Sequence, residues 1–230
     1  MTKIYCDIAN INLIRKFNKK TLVKGFTTNP SLMRKAGAKD YTKYSKQILN
    51  STKKPVSCEV FADNANGMIA QGFKISKWGK NVFVKIPVIN SKGKFMGKVI
   101  KKLNHNGIKL NITAVYTTNQ VKKILTLINN KTKVIISIFA GRMADVGKDP
   151  MPIFKRSLIM SKRFKNVEIL WASTREPYNY LQAKKLKCNI ITVPPSIIEK
   201  IEKKGKSFQN LTKDTVKGFL LDSKKSKFKI

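Results

Sequence analysis

Val82-Phe83-Val84-Lys85-Ile86-Pro87-Val88 is an apolar run of strand length with a single lysine at its centre. A strand wetted on one face alternates polar and apolar residues. A near-continuous run of Val, Ile and Phe instead suits a strand covered on both faces, as in parallel sheets flanked by helices. Runs of this kind recur on either side: Ile4 to Ile8, Leu22 to Phe26, Val56 to Phe61, Ile108 to Val115, Val134 to Phe139, Val167 to Ala172 and Ile190 to Val193. Between them lie segments with apolar residues at helical spacing: Ile11 to Phe17, Tyr41 to Leu49, Asn66 to Trp78, Phe95 to Leu103, Asn119 to Leu127, Pro152 to Phe164, Tyr178 to Leu186 and Ser196 to Ile201. Eight strand–helix units in 230 residues predict an α/β fold, a (β/α)8 TIM barrel in a single domain. A doubly wound open sheet is the alternative, but no Gly-x-Gly-x-x-Gly follows any run to support dinucleotide binding. The barrel domain is expected over residues 1–222, with a last helix at Asp214 to Leu221. Residues 223–230, Ser-Lys-Lys-Ser-Lys-Phe-Lys-Ile, read as a basic tail that frays unless it docks on a neighbour.

The net charge of +36 invites a nucleic-acid reading. Yet only six of the 48 basic residues are arginines, and the lysines are scattered through nearly every polar segment. Bidentate phosphate and base recognition favours arginine, and no stacking-aromatic motif accompanies the lysines. The expectation is therefore a solvated lysine surface with no specific nucleic-acid partner. No run approaches the ~18–20 apolar residues needed to span a bilayer, so no membrane is expected. The opening residues lack the pattern of a secretory signal. Cys6, Cys58 and Cys188 are isolated and odd in number, which reads as reduced thiols of a cytoplasmic protein without disulfides or a metal site.

In a barrel of this type, chemistry sits at the carboxyl ends of the strands. Those ends carry, in order, Asp7, Thr28-Asn29, Glu59, Lys85, Asn111 with Thr113, Ser137, and Ser173 with Arg175. One polar residue at a strand end is usually a capped or solvated group; seven of the eight runs bearing one form a pattern. The chain has only 12 carboxylate side chains, yet Asp7 and Glu59 both fall in the later half of apolar runs. Burying a carboxylate costs several kcal/mol unless it is paired or hydrogen-bonded. Pairing with a lysine for stability alone is the bland reading of each. Lys85 is the sharpest case, because burial disfavours its ammonium form and a neutral amine can attack a ketone to form an imine. Its bland reading is a lysine that snorkels out at the strand end.

Together these residues form motifs that resemble those of the transaldolase family: Asp7, Gly25-Phe-Thr-Thr-Asn-Pro-Ser31, Ser57-Cys-Glu-Val60, Val84-Lys-Ile-Pro87, Leu110-Asn-Ile-Thr113, Ser137-Ile-Phe-Ala-Gly-Arg142 and Ala172-Ser-Thr-Arg175. The resemblance covers Asp7 to about Ile201, and the chain is similar in size to the short members, which include fructose-6-phosphate aldolases. It implies a metal-free enzyme with no organic cofactor, acting on sugar phosphates in the pentose phosphate pathway. It also implies a ring-shaped homo-oligomer such as a pentamer or decamer. By resemblance, Lys85 is the Schiff-base lysine and Asp7 the general base at the C4 hydroxyl. Glu59 with Thr113 holds a proton-shuttling water. Asn29, Asn111 and Ser137 hold substrate hydroxyls, and Arg142, Ser173 and Arg175 receive the phosphate. The aldolase branch usually has Gln in place of Glu59 and Tyr in place of Phe139. Both positions here resemble transaldolase, which transfers a dihydroxyacetone unit from sedoheptulose 7-phosphate or fructose 6-phosphate to an aldose phosphate. Release of free dihydroxyacetone by an aldolase is the nearest rival, and a non-catalytic polyanion-binding barrel is the rival from another class. Departures cluster near the phosphate end: Ile138 where proline is common, Thr174 where a bulkier residue is common, and Glu176-Pro177 where Asn is frequent.

Overall fold

Each apolar run becomes one stave of a closed parallel barrel in the computed structural model, which describes residues 1–203 and 205–228. The strands are β1 (Lys3–Asp7), β2 (Val23–Thr27), β3 (Val56–Glu59), β4 (Val82–Pro87), β5 (Leu110–Val115), β6 (Val134–Phe139), β7 (Val167–Ala172) and β8 (Ile190–Val193). Consecutive strands pair in parallel and β8 pairs with β1, so no sheet edge remains. The helices are α1 (Ile11–Asn18), α2 (Pro30–Lys35), α3 (Tyr41–Asn50), α4 (Ala65–Ser76), α5 (Gly97–His105), α6 (Thr118–Leu125), α7 (Ala140–Ala144), α8 (Met151–Ser161), α9 (Tyr178–Lys185), α10 (Pro195–Glu202) and α11 (Phe208–Ser226). The chain is a single-domain (β/α)8 barrel, as the alternation of runs predicts.

Period-two alternation divides each strand between two cores. Ile4, Cys6, Val84, Ile86, Ile136, Ile138, Ile169 and Trp171 point outward into the layer beneath the helices. Tyr5, Phe83, Ile135, Leu170, Ala172 and Ile190 fill the barrel interior, with Phe139 packed against them. Both faces are therefore largely covered, which is why most of the strands read as near-continuous apolar runs. A β-carbon on Gly25 would lie 2.5 Å from the Tyr5 ring, so glycine at this point of β2 makes room for the largest residue of the interior plug.

Several element boundaries differ from those read off the sequence. The third strand stops at Glu59 rather than Phe61, because Gln71 Oε1 accepts the Phe61 and Ala62 N–H groups, each at 2.9 Å, and draws the chain out of the sheet. Phe95 does not start a helix; it bridges antiparallel to Ile89, and α5 begins at Gly97. Two short helices, α2 and α7, lie outside the segments with helical spacing. The last helix runs from Phe208 to Ser226, longer at both ends than Asp214 to Leu221, and takes in the first residues of the stretch read as a tail. Lys229 and Ile230, at the end of that stretch, lie outside the described residues. No helix among the described residues is long and apolar enough to cross a membrane.

Candidate active site

Strand register brings the polar strand ends together inside one mouth of the barrel. Asp7 is paired with Thr27 across β1 and β2, and Glu59, Lys85 and Asn111 lie side by side across β3, β4 and β5. Lys85 is 7% exposed, so it does not snorkel to solvent. Its Nζ lies 3.0 Å from Glu59 Oε2 and donates to the Thr28 carbonyl at 3.0 Å. A buried ion pair of this geometry also needs its remaining polar atoms satisfied, and here the backbone carbonyl supplies part of that.

Asp7 accepts a hydrogen bond from Thr27 Oγ1 at 2.6 Å, and Thr27 in turn meets Thr192 Oγ1 at 2.5 Å. Burial pushes the Asp7 carboxyl above its ordinary range; the Lys85 ammonium and the Thr27 hydroxyl pull it down, and the Glu59 carboxylate pushes it up. The net direction is upward, since desolvation is the largest influence. A carboxyl held in that direction comes closer to working as a proton acceptor near neutral pH.

The opposite wall is a fixed relay. Ser137 Oγ donates to Asn111 Oδ1 at 2.7 Å, and Asn111 Nδ2 donates to Ser57 Oγ at 2.9 Å. Asn29 caps α2, its Oδ1 accepting the Leu32 N–H at 2.9 Å, which fixes the amide orientation at the rim. Thr113 Oγ1 is buried with no hydrogen-bond partner among the described residues. An orphaned buried hydroxyl is uncommon and marks a place where a bound molecule can supply the missing bond. Phe139 tilts against Tyr116 with ring centroids 5.9 Å apart.

At the outer rim, α7 and the segment after β7 bring two arginines together. A β-carbon on Gly141 would lie 1.7 Å from the Ser173 carbonyl oxygen, so only glycine permits this approach. Ser173 itself adopts a left-handed backbone with φ of 62°. Arg175 is held by Asp145, Nε to Oδ1 at 3.0 Å and Nη2 to Oδ2 at 2.5 Å, and the guanidinium keeps the Asp145 carboxyl below the usual carboxylate range. Asp7, Asn29, Lys85, Asn111, Thr113, Ser137, Phe139, Arg142, Ser173 and Arg175 all line one cavity of about 300 Å³. Of the residues given a role in the site, Glu59 alone is absent from that lining, and it meets Lys85 as its carboxylate partner.

The structure also brings in residues that the sequence reading passed over. Thr27 and Thr192 support Asp7, and the Tyr41 hydroxyl donates to the Glu59 carbonyl at 2.8 Å while accepting its N–H at 2.9 Å. Thr192 carried a signal, being the one polar residue of an otherwise apolar run; Tyr41 and Asp145 carried none. Among the described residues no group of three or more His, Cys, Asp or Glu side chains is arranged to hold a metal ion.

Fold and cavity define a (β/α)8 barrel with a buried lysine–carboxylate centre and an arginine-bearing rim. The chain matches the Transaldolase/Fructose-6-phosphate aldolase family over residues 4–230, and it belongs to that family. It is 33% identical to a protein of Thermoanaerobacter sp. (strain X514) named "Probable transaldolase", with 99% of this chain and 100% of that one covered. Proteins of the same name from Nitrosopumilus maritimus (strain SCM1) and Thermoplasma volcanium are 34% and 35% identical, covering 98% and 97% of this chain and 96% of each relative. A crystal structure described as of a "dihydrodipicolinate synthase family protein" from Coccidioides immitis superposes with a TM-score of 0.61 at 11% identity, covering 92% of this chain and 75% of that one. That likeness speaks to the fold alone.

Proposed function

We propose that the chain is a class I transaldolase, which moves a dihydroxyacetone unit from a ketose phosphate to an aldose phosphate through a Schiff base on Lys85. What carries the reading is the buried Lys85 amine, 3.0 Å from the Glu59 carboxylate and lining one cavity with Asp7. Once the Lys85 ammonium has passed a proton to the Glu59 carboxylate, the neutral amine attacks the C2 carbonyl of the ketose, giving a carbinolamine that loses water to form the iminium. Glu59 and the Thr113 hydroxyl hold the water that carries protons in this dehydration and in its reversal; the unpartnered Thr113 Oγ1 supports that role. Ionised Asp7 takes the proton from the C4 hydroxyl as the C3–C4 bond breaks, and the iminium accepts the electron pair as an enamine. The cleaved aldose phosphate leaves as an aldehyde. The enamine carbon then attacks the aldehyde of the acceptor while Asp7 returns its proton to the new C4 oxygen, and hydrolysis of the resulting iminium frees the new ketose.

Asn29, Asn111, Ser137 and Phe139 position the three-carbon unit, an ordering that lowers the entropic part of the barrier. Arg142, Ser173 and Arg175 receive the phosphate, for which guanidinium forks are well matched. Glu59 and Phe139 favour transfer over release within the family. The proposal places the enzyme in the cytoplasm, in line with three buried free thiols, and in sugar-phosphate metabolism of the pentose phosphate type. It needs no metal or organic cofactor, membrane or specific nucleic acid. It includes a homo-oligomer, supported by α11, none of whose residues is buried and whose Phe208, Leu211, Val216 and Phe219 fall on one exposed face.

Borohydride reduction in the presence of fructose 6-phosphate, followed by peptide mapping, tests the mechanism. The expected adduct is on Lys85; an adduct elsewhere, or none while the enzyme turns over, overturns it. Dependence of product formation on erythrose 4-phosphate marks transfer, and free dihydroxyacetone from fructose 6-phosphate alone marks an aldolase.

A further inference from the structure

The rim holds one acidic group that the reaction does not need. Asp145 follows α7, its N–H bonded to the Gly141 carbonyl at 2.8 Å, and both of its oxygens are committed to Arg175. A carboxylate on a phosphate-binding arginine would ordinarily compete with the substrate. Here the edges differ: Asp145 takes the Nε/Nη2 side of the guanidinium, and Nη1 has only a long contact to the Ser173 carbonyl at 3.4 Å. Arg175 lines the cavity and Asp145 does not.

We propose that Asp145 is a positioning residue, gripping Arg175 from outside so that the free Nη edge of the guanidinium is presented to the phosphate of the substrate. The inference rests on the reading of this rim as the phosphate site. Arg175 is half exposed, and a long side chain at such a site samples many rotamers unless it is held. A fork–fork pair supplies geometric specificity that a single contact does not. The grip also ties together the two segments that carry the arginines, since Gly141 and Ser173 already touch at their backbones and the Arg175 N–H is anchored on Asn179 Oδ1 at 3.0 Å. Arg142 is close enough to Asp145 to help lower its carboxyl. The two arginines and one aspartate therefore leave one net positive charge for the incoming oxyanion.

The test is Asp145→Asn, with Asp145→Glu as the conservative variant and Asp145→Ser as a second removal should the amide disturb folding. Removal is expected to raise KM for fructose 6-phosphate about tenfold with kcat changed less than about twofold, the pattern of lost ground-state binding. The inhibition constant of inorganic phosphate rises in proportion, kcat/KM for unphosphorylated fructose stays level, and Asp145→Glu recovers part of the loss. Unchanged or tighter phosphate binding on removal of the carboxylate overturns the proposal, the latter identifying Asp145 as a competitor. Equal losses on fructose and fructose 6-phosphate also overturn it, by marking a general structural role. If the unaltered enzyme neither prefers the phosphorylated ketose nor is inhibited by phosphate, the phosphate reading of the rim itself fails, which is a distinct result.

Discussion

Replacing Lys85 by Met keeps an unbranched side chain of similar volume at a position 7% exposed while removing the amine. Two effects follow. Turnover and borohydride trapping are lost, because no other lysine lines the cavity among the described residues. Stability falls as well, because Nζ is the ammonium 3.0 Å from Glu59 and the cation that most strongly pulls the Asp7 carboxyl down. Removing one partner of a buried ion pair typically costs about 3–5 kcal/mol. For a chain of 230 residues the entropy of unfolding converts each kcal/mol into about 2 °C, so the melting temperature should drop by about 6–10 °C.

The sign with pH is fixed by Asp7. Its carboxyl already lies above the ordinary value, and losing the cation raises it further. An acid raised in the folded state destabilises the fold where it is ionised and stops doing so as pH falls through the raised value. The deficit of Lys85→Met is therefore full where Asp7 is ionised in both proteins and shrinks as pH falls through the raised value. Calorimetry at fixed protein concentration measures it, since association also shifts the transition. Adding Asp7→Asn to Lys85→Met should recover part of the loss, because one uncompensated carboxylate disappears. A Lys85→Met protein as stable as the unaltered one at about pH 8, or a double mutant that is simply additive, would refute the reasoning.

Asp7→Asn on its own should abolish the acidic limb of the kcat profile that the raised carboxyl creates, at a cost of about 100-fold or more in kcat; stopped-time assays across pH report both, and an unshifted limb assigns it to another group. Tyr41→Phe removes a hydroxyl bonded to both the N–H and carbonyl of Glu59. It should cost about 1–3 kcal/mol of stability for the stranded backbone groups, and kcat should fall on the order of tenfold from misplacement of Glu59; chemical denaturation and steady-state kinetics separate the two. Phe219→Glu, at a residue 70% exposed on α11, should lower the assembly state seen by sedimentation while the far-ultraviolet spectrum is kept; an unchanged assembly removes α11 from the interface.

The barrel was legible because burial on both faces leaves few polar residues for alternation, so β4, β6 and β7 stand out as near-continuous apolar runs, each with one polar residue. The same dryness exposed Lys85, since a charge inside such a run has no bland place to go. Threonine escaped for the opposite reason. It is a good strand former with a small hydroxyl, so Thr27 reads as an ordinary sheet residue and the signal of Thr192, the one polar residue of its run, is weak, although both hydroxyls support Asp7. Short helices escaped because α2 spans six residues and α7 five, too few turns to display a period. Tyr41 and Asp145 escaped for a deeper reason. The pattern around a residue reports its own element, whereas Tyr41 acts on a strand 18 positions away and Asp145 on an arginine 30 positions away. Such partnerships exist only once the barrel closes and sets the loops of neighbouring units against one another. Charge shows the same division. The 48 cations dominate the charge, yet the cavity uses Lys85, Arg142 and Arg175. Lys3, Lys16, Lys20 and Lys206 also meet carboxylates but on partly or fully exposed side chains, whereas Lys85 meets Glu59 in the buried mouth of the barrel and Arg175 meets Asp145 at its rim. The count of lysines says how the surface meets water; the placement of a few acids, scarce in this chain, decides where a cation is held still enough to do chemistry.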